Sequence, residues 1–267
     1  MTDAITTRPP ATGQSGIAAQ VAARLERART TCTAIPPASD DLPGLDLATG
    51  YEVQRLHRAQ AGPLVGWKLG VTSRAKQMQV GVHEPIRGFL ATEHVLDIGE
   101  PLQTRQHIQP RCEPEIVLIM GSDLAGPHVS ASDVLAATAA VAVGIEVLDS
   151  RYQDYRFTMP DVVADNASAS RFVIGTPVPV AGIDLRLVGV VLEHRGEVFG
   201  TASGAASLGH PAAAVAWLVR SLALEGEGLR AGEIILSGGL TAAVPVGPGD
   251  VVVATIDRLG SLELACQ

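Results

Sequence analysis

The chain has 267 residues, enough to bury a sizeable core as one elaborated domain or two small ones. Its net charge of −8 argues against nucleic acid or an anionic membrane as a partner, because phosphate binding needs clustered Lys and Arg. No apolar stretch reaches the about 20 residues of a spanning helix, and the first thirteen residues lack a signal-peptide core. The 3 cysteines are far apart in sequence, which is typical of neither a disulfide framework nor a zinc site. We therefore expect a globular, cytoplasmic protein.

The N-terminal quarter has a different character from the rest. Residues 1–16 are rich in Thr, Pro and Gly, which predicts a flexible tail. Apolar residues recur at helical spacing over 17–30 and again over 47–61, on either side of a proline-rich linker. The sequence therefore predicts a helical cap over residues 17–63 and a strand-rich body over residues 64–267.

A single lysine interrupts the first apolar strand pattern, at residues 64–71. Such a lysine usually reaches the surface along its aliphatic stem. Gly66 and Gly70, on either side of Lys68, favour the other reading, because glycine lets a second group approach the backbone closely. A buried Lys68 beside a metal-bound acid could hold a substrate carboxylate or move a proton.

Three glutamates lie within two apolar, β-branched stretches at residues 109–120 and 141–148. Glu113 and Glu115 are two apart on one strand, so their side chains share a face about 7 Å apart along the chain. Together with Glu146 they would repel one another and raise their own pKa values unless a cation lay between them. Carboxylate oxygens favour Mg²⁺ or Mn²⁺ over zinc. The alternative is an edge strand whose acids face solvent, a position that Pro114 also suits.

Other segments are predicted from turn and cap signals. Ser130, with Asp133 three residues on, predicts the start of a helix that continues to Ala140. The polar, aromatic stretch 149–157 is either a substrate lid or an ordinary surface loop. The glycine turn at 237–241 could present its amides to a ligand or simply bend the chain. The remaining predictions are a short helix at 73–80, a loop at 81–88, a strand at 171–175, a hairpin of 183–194 with 197–201, a helix at 211–224 that His210 precedes as a packed residue, and strands at 251–256 and 261–265.

Several motifs in this order resemble the hydratase and decarboxylase branch of the fumarylacetoacetase superfamily. The resemblance runs from about residue 47 to 264. Its motifs are GWKLGVTS at 66–73, EPE at 113–115, IEV at 145–147, VADNAS at 163–168, LGHP at 208–211 and the terminal GS at 260–261.

The resemblance implies an α+β fold, with a mixed β-roll body behind the helical cap. It implies Mg²⁺ or Mn²⁺ held by Glu113, Glu115 and Glu146, with Lys68 in the active site. It implies Ser168 as a substrate-binding position, and Leu90, Arg87 and Thr241 are further candidate substrate-binding residues. Its members act on small 2-oxo acids in the meta-cleavage degradation of aromatic rings. They are usually homo-oligomers, and the decarboxylases can associate with a partner hydratase.

Within the family we expect a decarboxylase. A 2-oxo-3-enedioate loses its distal carboxylate as CO₂, and a divalent ion on the ketone oxygen would stabilise the resulting dienolate. Related hydratases typically place an aspartate where this chain has Ile86, which cannot transfer a proton. Arg87 departs from the aromatic residue of the decarboxylases, and could meet a distal carboxylate or be exposed. The alternatives are a 2-keto-4-pentenoate-type hydratase and a companion subunit without turnover.

Overall fold

The computed structural model describes residues 12–73, 77–78 and 84–267, with side chains from residue 15 onwards. The helix predicted at 73–80 therefore lies largely outside the described residues, as do residues 81–83 of the predicted loop and the first eleven residues of the predicted tail. The loop prediction is wrong for residues 86–88, because the strand Ile86–Ala91 begins there. The helices are α1 (Thr12–Thr30), α2 (Leu47–Gln60), α3 (Ala131–Ala137), α4 (Met159–Ala164) and α5 (Pro211–Ala223). The strands are β1 (Leu64–Gly70), β2 (Ile86–Ala91), β3 (Arg111–Met120), β4 (Thr138–Leu148), β5 (Ala169–Ile174), β6 (Val178–Pro179), β7 (Gly189–His194), β8 (Glu197–Ser203), β9 (Ile234–Leu236), β10 (Val244–Pro245), β11 (Val251–Ile256) and β12 (Gly260–Ala265).

The helix ends follow the cap signals in the sequence. The predicted capping box is present, because Ser130 accepts from the Asp133 amide and the Asp133 carboxylate accepts from the Ser130 amide. α3 ends at Ala137, earlier than predicted, because the chain enters β4 at Thr138. His210 caps α5 by accepting from the Ala212 amide through Nδ1, which confirms it as a helix-entry residue.

Two sheets form the body of the molecule. The larger has the order β2-β1-β9-β3-β4-β5, with β10 on β3 and β6 on β4, and the smaller has the order β12-β11-β7-β8. Alternate residues of β3 and β4, such as Ile116, Leu118 and Val143, contribute to the main apolar core together with the inner faces of the smaller sheet and α5. The intervening residues face the other side of the larger sheet. This second face carries a small apolar cluster and the three glutamates.

The helical cap packs through its own apolar cluster against the segment between β4 and β5. Val21, Leu25 and Val53 meet there with the buried ring of Tyr152 and with Ala164 of α4. α1 begins at Thr12, so residues 12–16, predicted as tail, are helical. The predicted α+β class with a mixed, curled sheet is confirmed. No helix among the described residues is long and apolar enough to cross a membrane.

Candidate active site

The three glutamates predicted as metal ligands converge in the structure. Glu113 on β3 lies directly opposite Glu146 on β4, and Glu115 follows two residues along on the same face. One carboxylate oxygen from each lies within 4.8 Å of the others. The antiparallel pairing of two buried strands is therefore what gathers the acids. The solvent-facing alternative is wrong, because all three side chains are buried.

Burial raises the proton affinity of this cluster. Glu115 is fully buried, and burial raises its pKa well above the ordinary value, with the Glu146 charge adding to the effect. The pKa of Glu146 is also raised by burial, against an opposing contribution from the charge of Lys68. Among the described residues, no hydrogen-bond donor meets Oε1 of Glu115. The site therefore offers buried carboxylate oxygens that a hard cation would stabilise.

Lys68 is buried inside the site and does not reach the surface. Its side chain is 3% exposed, with Nζ 3.1 Å from Oε1 of Glu146. The same Nζ donates to the carbonyl oxygen of Ala167 at 3.0 Å. Gly88, opposite Lys68 on β2, leaves room for this, because a Cβ there would lie 3.0 Å from the lysine stem. Three carboxylates and one ammonium carry a formal charge of −2, which matches a divalent cation.

The carbonyl that receives Lys68 belongs to an unusual turn. Asn166, Ala167 and Ser168 have φ values of 50°, 52° and 58°, so three consecutive non-glycine residues are left-handed. Such backbone costs about 1–2 kcal/mol per residue and persists where the surroundings enforce it. The Ser168 hydroxyl is buried and, within the described ranges, has no hydrogen-bond partner. The turn thus brings Ser168 next to the acceptor of Lys68, with its hydroxyl free for a ligand.

The glycine turn after β9 supports two of the glutamates. The Gly238 amide donates to Oε2 of Glu115 at 2.6 Å. A Cβ at Gly239 would lie 1.8 Å from Oε2 of Glu113, so any larger residue there would displace this carboxylate. The sequence left open whether this turn presents its amides to a ligand or only bends the chain. In the structure the Gly238 amide instead meets a candidate metal-binding carboxylate.

The other predicted substrate positions are divided between the site and its surroundings. Leu90 pairs with Gly66 on the Lys68 side of the sheet, and is buried against Phe172 and Leu236. The Thr241 hydroxyl donates to the carbonyl of Ala242 at the far end of the glycine turn. No contact of Thr241 with the glutamates is present in the described structure.

The structure does not bring Arg87 to the carboxylates. Arg87 pairs with Leu69, whose side chain enters the main core, so it points to the opposite face from Lys68. Its guanidinium is buried, bonds Glu225 at 2.5 Å and lies over the Tyr51 ring at 4.6 Å. Neither sequence alternative, a substrate contact or an exposed side chain, describes this position.

Ile86, by contrast, is on the site side of β2. It pairs with Gly70 and packs in a small buried cluster that includes Ala167. The position at which related hydratases carry an aspartate is therefore adjacent to the turn that holds Lys68.

The lid predicted at 149–157 is wrong for its first four residues, which are buried. The Asp149 carboxylate accepts from the amides of Ile108 and Gln109 at 3.0 and 2.8 Å. Arg151 forms a buried ion pair with Asp165. Polarity indicated a surface loop, but the side chains of Asp149, Ser150 and Arg151 have hydrogen-bond partners inside the protein, which lowers the penalty of burying them.

The sequence reasoning missed Asn166 as a site residue. Its side-chain amide donates to the carbonyl of Phe89 at 3.0 Å and its Oδ1 accepts from the Phe89 amide at 2.9 Å. The sequence did contain a signal for this role, because asparagine tolerates left-handed backbone better than most residues. Only two small residues, Ala167 and Ser168, separate Asn166 from the strand β5.

Comparisons with known proteins agree with this geometry. Residues 64–266 match the family described as fumarylacetoacetate (FAA) hydrolase C-terminal. The chain is 42% identical over 247 residues to a 4-oxalocrotonate decarboxylase of Pseudomonas sp. (strain CF600), covering 91% of this chain and 94% of that protein. It is 39% identical over 249 residues to a 2-keto-4-pentenoate hydratase of Burkholderia vietnamiensis (strain G4 / LMG 22486), covering 91% of this chain and 95% of that protein.

A solved structure is similar over almost the whole chain. It is a 4-oxalocrotonate decarboxylase from Pseudomonas putida G7 complexed with magnesium and adipate. The match has a TM-score of 0.91 and 39% identity, and covers 98% of this chain and 100% of that one. A second structure of that enzyme is complexed with calcium and acetate. By sequence, by fold and by the arrangement of its buried carboxylates, the chain belongs to the fumarylacetoacetate hydrolase family.

Proposed function

We propose that this protein is a divalent-metal-dependent decarboxylase of a 2-oxo-3-enedioate resembling 4-oxalocrotonate. The observation that carries the proposal is the buried triad of Glu113, Glu115 and Glu146 with Lys68 against it. The likeness to named decarboxylases supports the reaction class. The presence of hydratases among relatives of similar identity keeps water addition to a dienol acid as the second candidate.

The residues present fit a divalent cation, because they supply three buried carboxylates whose charge Lys68 only partly offsets. Glu113, Glu115 and Glu146 would hold Mg²⁺ or Mn²⁺, in keeping with the magnesium in the similar decarboxylase structure. When bound, such an ion supplies Lewis-acid polarisation of the substrate's 2-oxo group.

The protein's own groups would bind and orient the rest of the substrate. Lys68 has three N–H donors, of which one bonds the carbonyl oxygen of Ala167, and its ammonium forms an ion pair with Glu146, so a further donor can meet the C1 carboxylate. The Ser168 hydroxyl is available to the same group. As the distal carboxylate leaves as CO₂, the electron pair of the broken C–C bond moves through the alkene to the ketone oxygen. Ile86 offers no proton there, which favours decarboxylation over addition of water.

A product assay on 2-oxo-3-hexenedioate, with Mg²⁺ and with chelator, tests the proposal. We expect CO₂ release only with the divalent ion, and its loss in Glu115→Gln with the circular dichroism spectrum unchanged. Turnover that persists without metal would reject the mechanism. Water addition to 2-hydroxypenta-2,4-dienoate without CO₂ release would assign a hydratase, and bound metal with neither reaction would assign a companion subunit.

Self-association is part of the same proposal. β8 is the edge strand of the smaller sheet and exposes Val198 (62%) and Phe199 (44%), which supports contact with a second copy of the chain. Light scattering after size exclusion would give the number of subunits, and Phe199→Glu should lower it. Mixing with a partner hydratase in the same experiment would test the hetero-complex.

A further inference from the structure

We infer that Asn166 and Arg151 are positioning residues, which hold the left-handed turn at 166–168 so that Lys68 and Ser168 meet the substrate in one fixed geometry. The inference rests on the proposed function of that site. It assigns a role to the segment 149–152, whose polarity suggested a lid, and to the buried ion pair that this segment forms.

The turn is a strained element that needs external support. Three successive left-handed residues are unfavourable for L-amino acids, and neither Ala167 nor Ser168 has a side chain that favours this backbone. Ala167 nevertheless supplies the carbonyl that accepts from Lys68, and the unpartnered hydroxyl of Ser168 follows directly. Strain of this kind persists at functional sites when neighbouring contacts determine the conformation.

Asn166 supports the turn from one side. β2 is an edge strand of the larger sheet, and the Asn166 side chain bonds both the N–H and the C=O of Phe89, as a neighbouring strand would. A Cβ at Gly88 would lie 2.9 Å from Oδ1 of Asn166 and 2.7 Å from its carbonyl oxygen, so glycine lets the turn approach the strand. The turn is thereby fixed to the strand beside Lys68.

Arg151 supports the turn at both ends. Its Nη2 donates to the carbonyl of Asp165 at 2.6 Å, and its Nη1 donates to the carbonyl of Ala169 at 3.1 Å. Its Nε donates to the Asp165 carboxylate, which also accepts from the Arg151 amide at 3.1 Å. One rigid guanidinium therefore bonds the residues immediately before and after the left-handed segment.

None of these hydrogen bonds involves the three glutamates. Loosening the turn should therefore affect Lys68 and Ser168 while leaving the cation site intact. A purely structural role would predict a different result, because general unfolding or softening of the site would weaken cation binding and turnover together.

Asn166→Gly is the variant of choice, since glycine accepts the left-handed backbone and only the clamp on Phe89 is lost. We expect kcat on 2-oxo-3-hexenedioate to fall by about 100-fold, because small misplacements of reacting groups reduce rates by about this factor. Calorimetry should show Mg²⁺ affinity within about twofold of the parent, and adipate affinity in saturating Mg²⁺ reduced by about tenfold. Arg258→Gly, at an exposed left-handed position in the β11–β12 turn, is the matched control. It should change none of the three quantities: kcat, Mg²⁺ affinity and adipate affinity.

Arg151→Lys is a second, independent variant. It keeps the positive charge beside Asp165 but loses the paired hydrogen bonds to the carbonyl oxygens of Asp165 and Ala169. It should reduce kcat and adipate affinity without reducing Mg²⁺ affinity. Parental kcat and adipate affinity in Asn166→Gly would overturn the inference, as would a parallel loss of Mg²⁺ affinity in both variants. If the parent binds Mg²⁺ and adipate but releases no CO₂, the proposed function fails, and the adipate measurement still decides the role of the turn.

Discussion

At the scale of single residues, the site depends on two glycines, whose missing side chains leave room for the functional groups. Gly88 leaves room for Lys68 and Asn166, and Gly239 leaves room for the Glu113 carboxylate. These positions tolerate no Cβ because the neighbouring groups are held by the sheet. The two glycines therefore help to position Lys68, Asn166 and Glu113, although they contribute no side chain to the site themselves.

Gly239→Ala should lower the affinity for Mg²⁺ by at least about tenfold, because the new methyl would occupy the position of the Glu113 carboxylate. Isothermal calorimetry on the parent and the variant would measure this directly. Gly247→Ala is the matched control, since nothing lies within 4 Å of a Cβ there. An unchanged Mg²⁺ affinity in Gly239→Ala would mean that Glu113 adapts or does not bind the ion.

Ile86→Asp should raise hydration relative to decarboxylation, because it places a group that can transfer a proton beside the turn of Ala167 and Lys68. Product ratios on a dienol acid and on an enedioate would show the change. Ile86→Asn has a similar shape and polarity without the titrating group, so it should leave the ratio close to that of the parent. Equal ratios in all three proteins would remove position 86 from the choice of reaction.

At the scale of elements, strand pairing decides which groups meet. β3 and β4 pair antiparallel with Glu113 opposite Glu146, and the parallel pair of β1 and β9 brings Lys68 beside Leu236, just before the glycine turn. Residue alternation then separates neighbours. Lys68 faces the site, and Arg87, one residue from the strand partner of Lys68, faces the packing between β2 and α5.

Glu225→Ala should lower the free energy of unfolding by about 1–3 kcal/mol, because it leaves the buried Arg87 guanidinium without its carboxylate. Urea denaturation would measure the change, and kcat per folded molecule should stay at the parental value. Glu227→Ala breaks the more exposed pair with Arg58 and should cost less than about 1 kcal/mol. A loss of kcat in Glu225→Ala without a loss of stability would return Arg87 to the list of substrate contacts.

At the scale of the whole molecule, an open cavity of about 700 Å³ lies between the cap and the body, and Asn166 is part of its lining. Three histidines line it, His57, His94 and His107, and burial lowers the pKa of each. The contact between cap and body therefore includes imidazoles that the fold keeps neutral.

Protonation of His94 should contribute a destabilisation of the fold between pH 6.5 and about 4. The pKa of His94 falls to about 4 through burial, so the unfolded chain takes up this proton at a higher pH than the folded one. At this imidazole the unfolded state binds more protons in that window, so the contribution of His94 to the free energy of unfolding decreases as pH falls through it. His94→Asn should reduce this dependence, whereas a change at the exposed His128 should not. Identical pH dependence of urea unfolding in the parent and His94→Asn would contradict the assignment.

The sequence by itself determined the parts of this protein that follow from local chemistry. Periodicity and cap residues located the helices at 47–60 and 211–223, and apolar runs carrying single charged residues located the strands of Lys68 and the glutamates. Charged groups in buried strands must meet partners of opposite charge or an ion, so the acidic cluster could be predicted before any coordinates.

Only the tertiary structure decided which polar residues join that cluster. Arg87 and the 149–152 segment carry charges in patterns that suit substrate contact, yet strand register and burial direct them to Glu225 and Asp165. Asn166 acts through the backbone of Phe89, 77 residues away in sequence. Such partners depend on distances between strands that no local pattern encodes, because the same side chain is stable wherever the fold satisfies its hydrogen bonds.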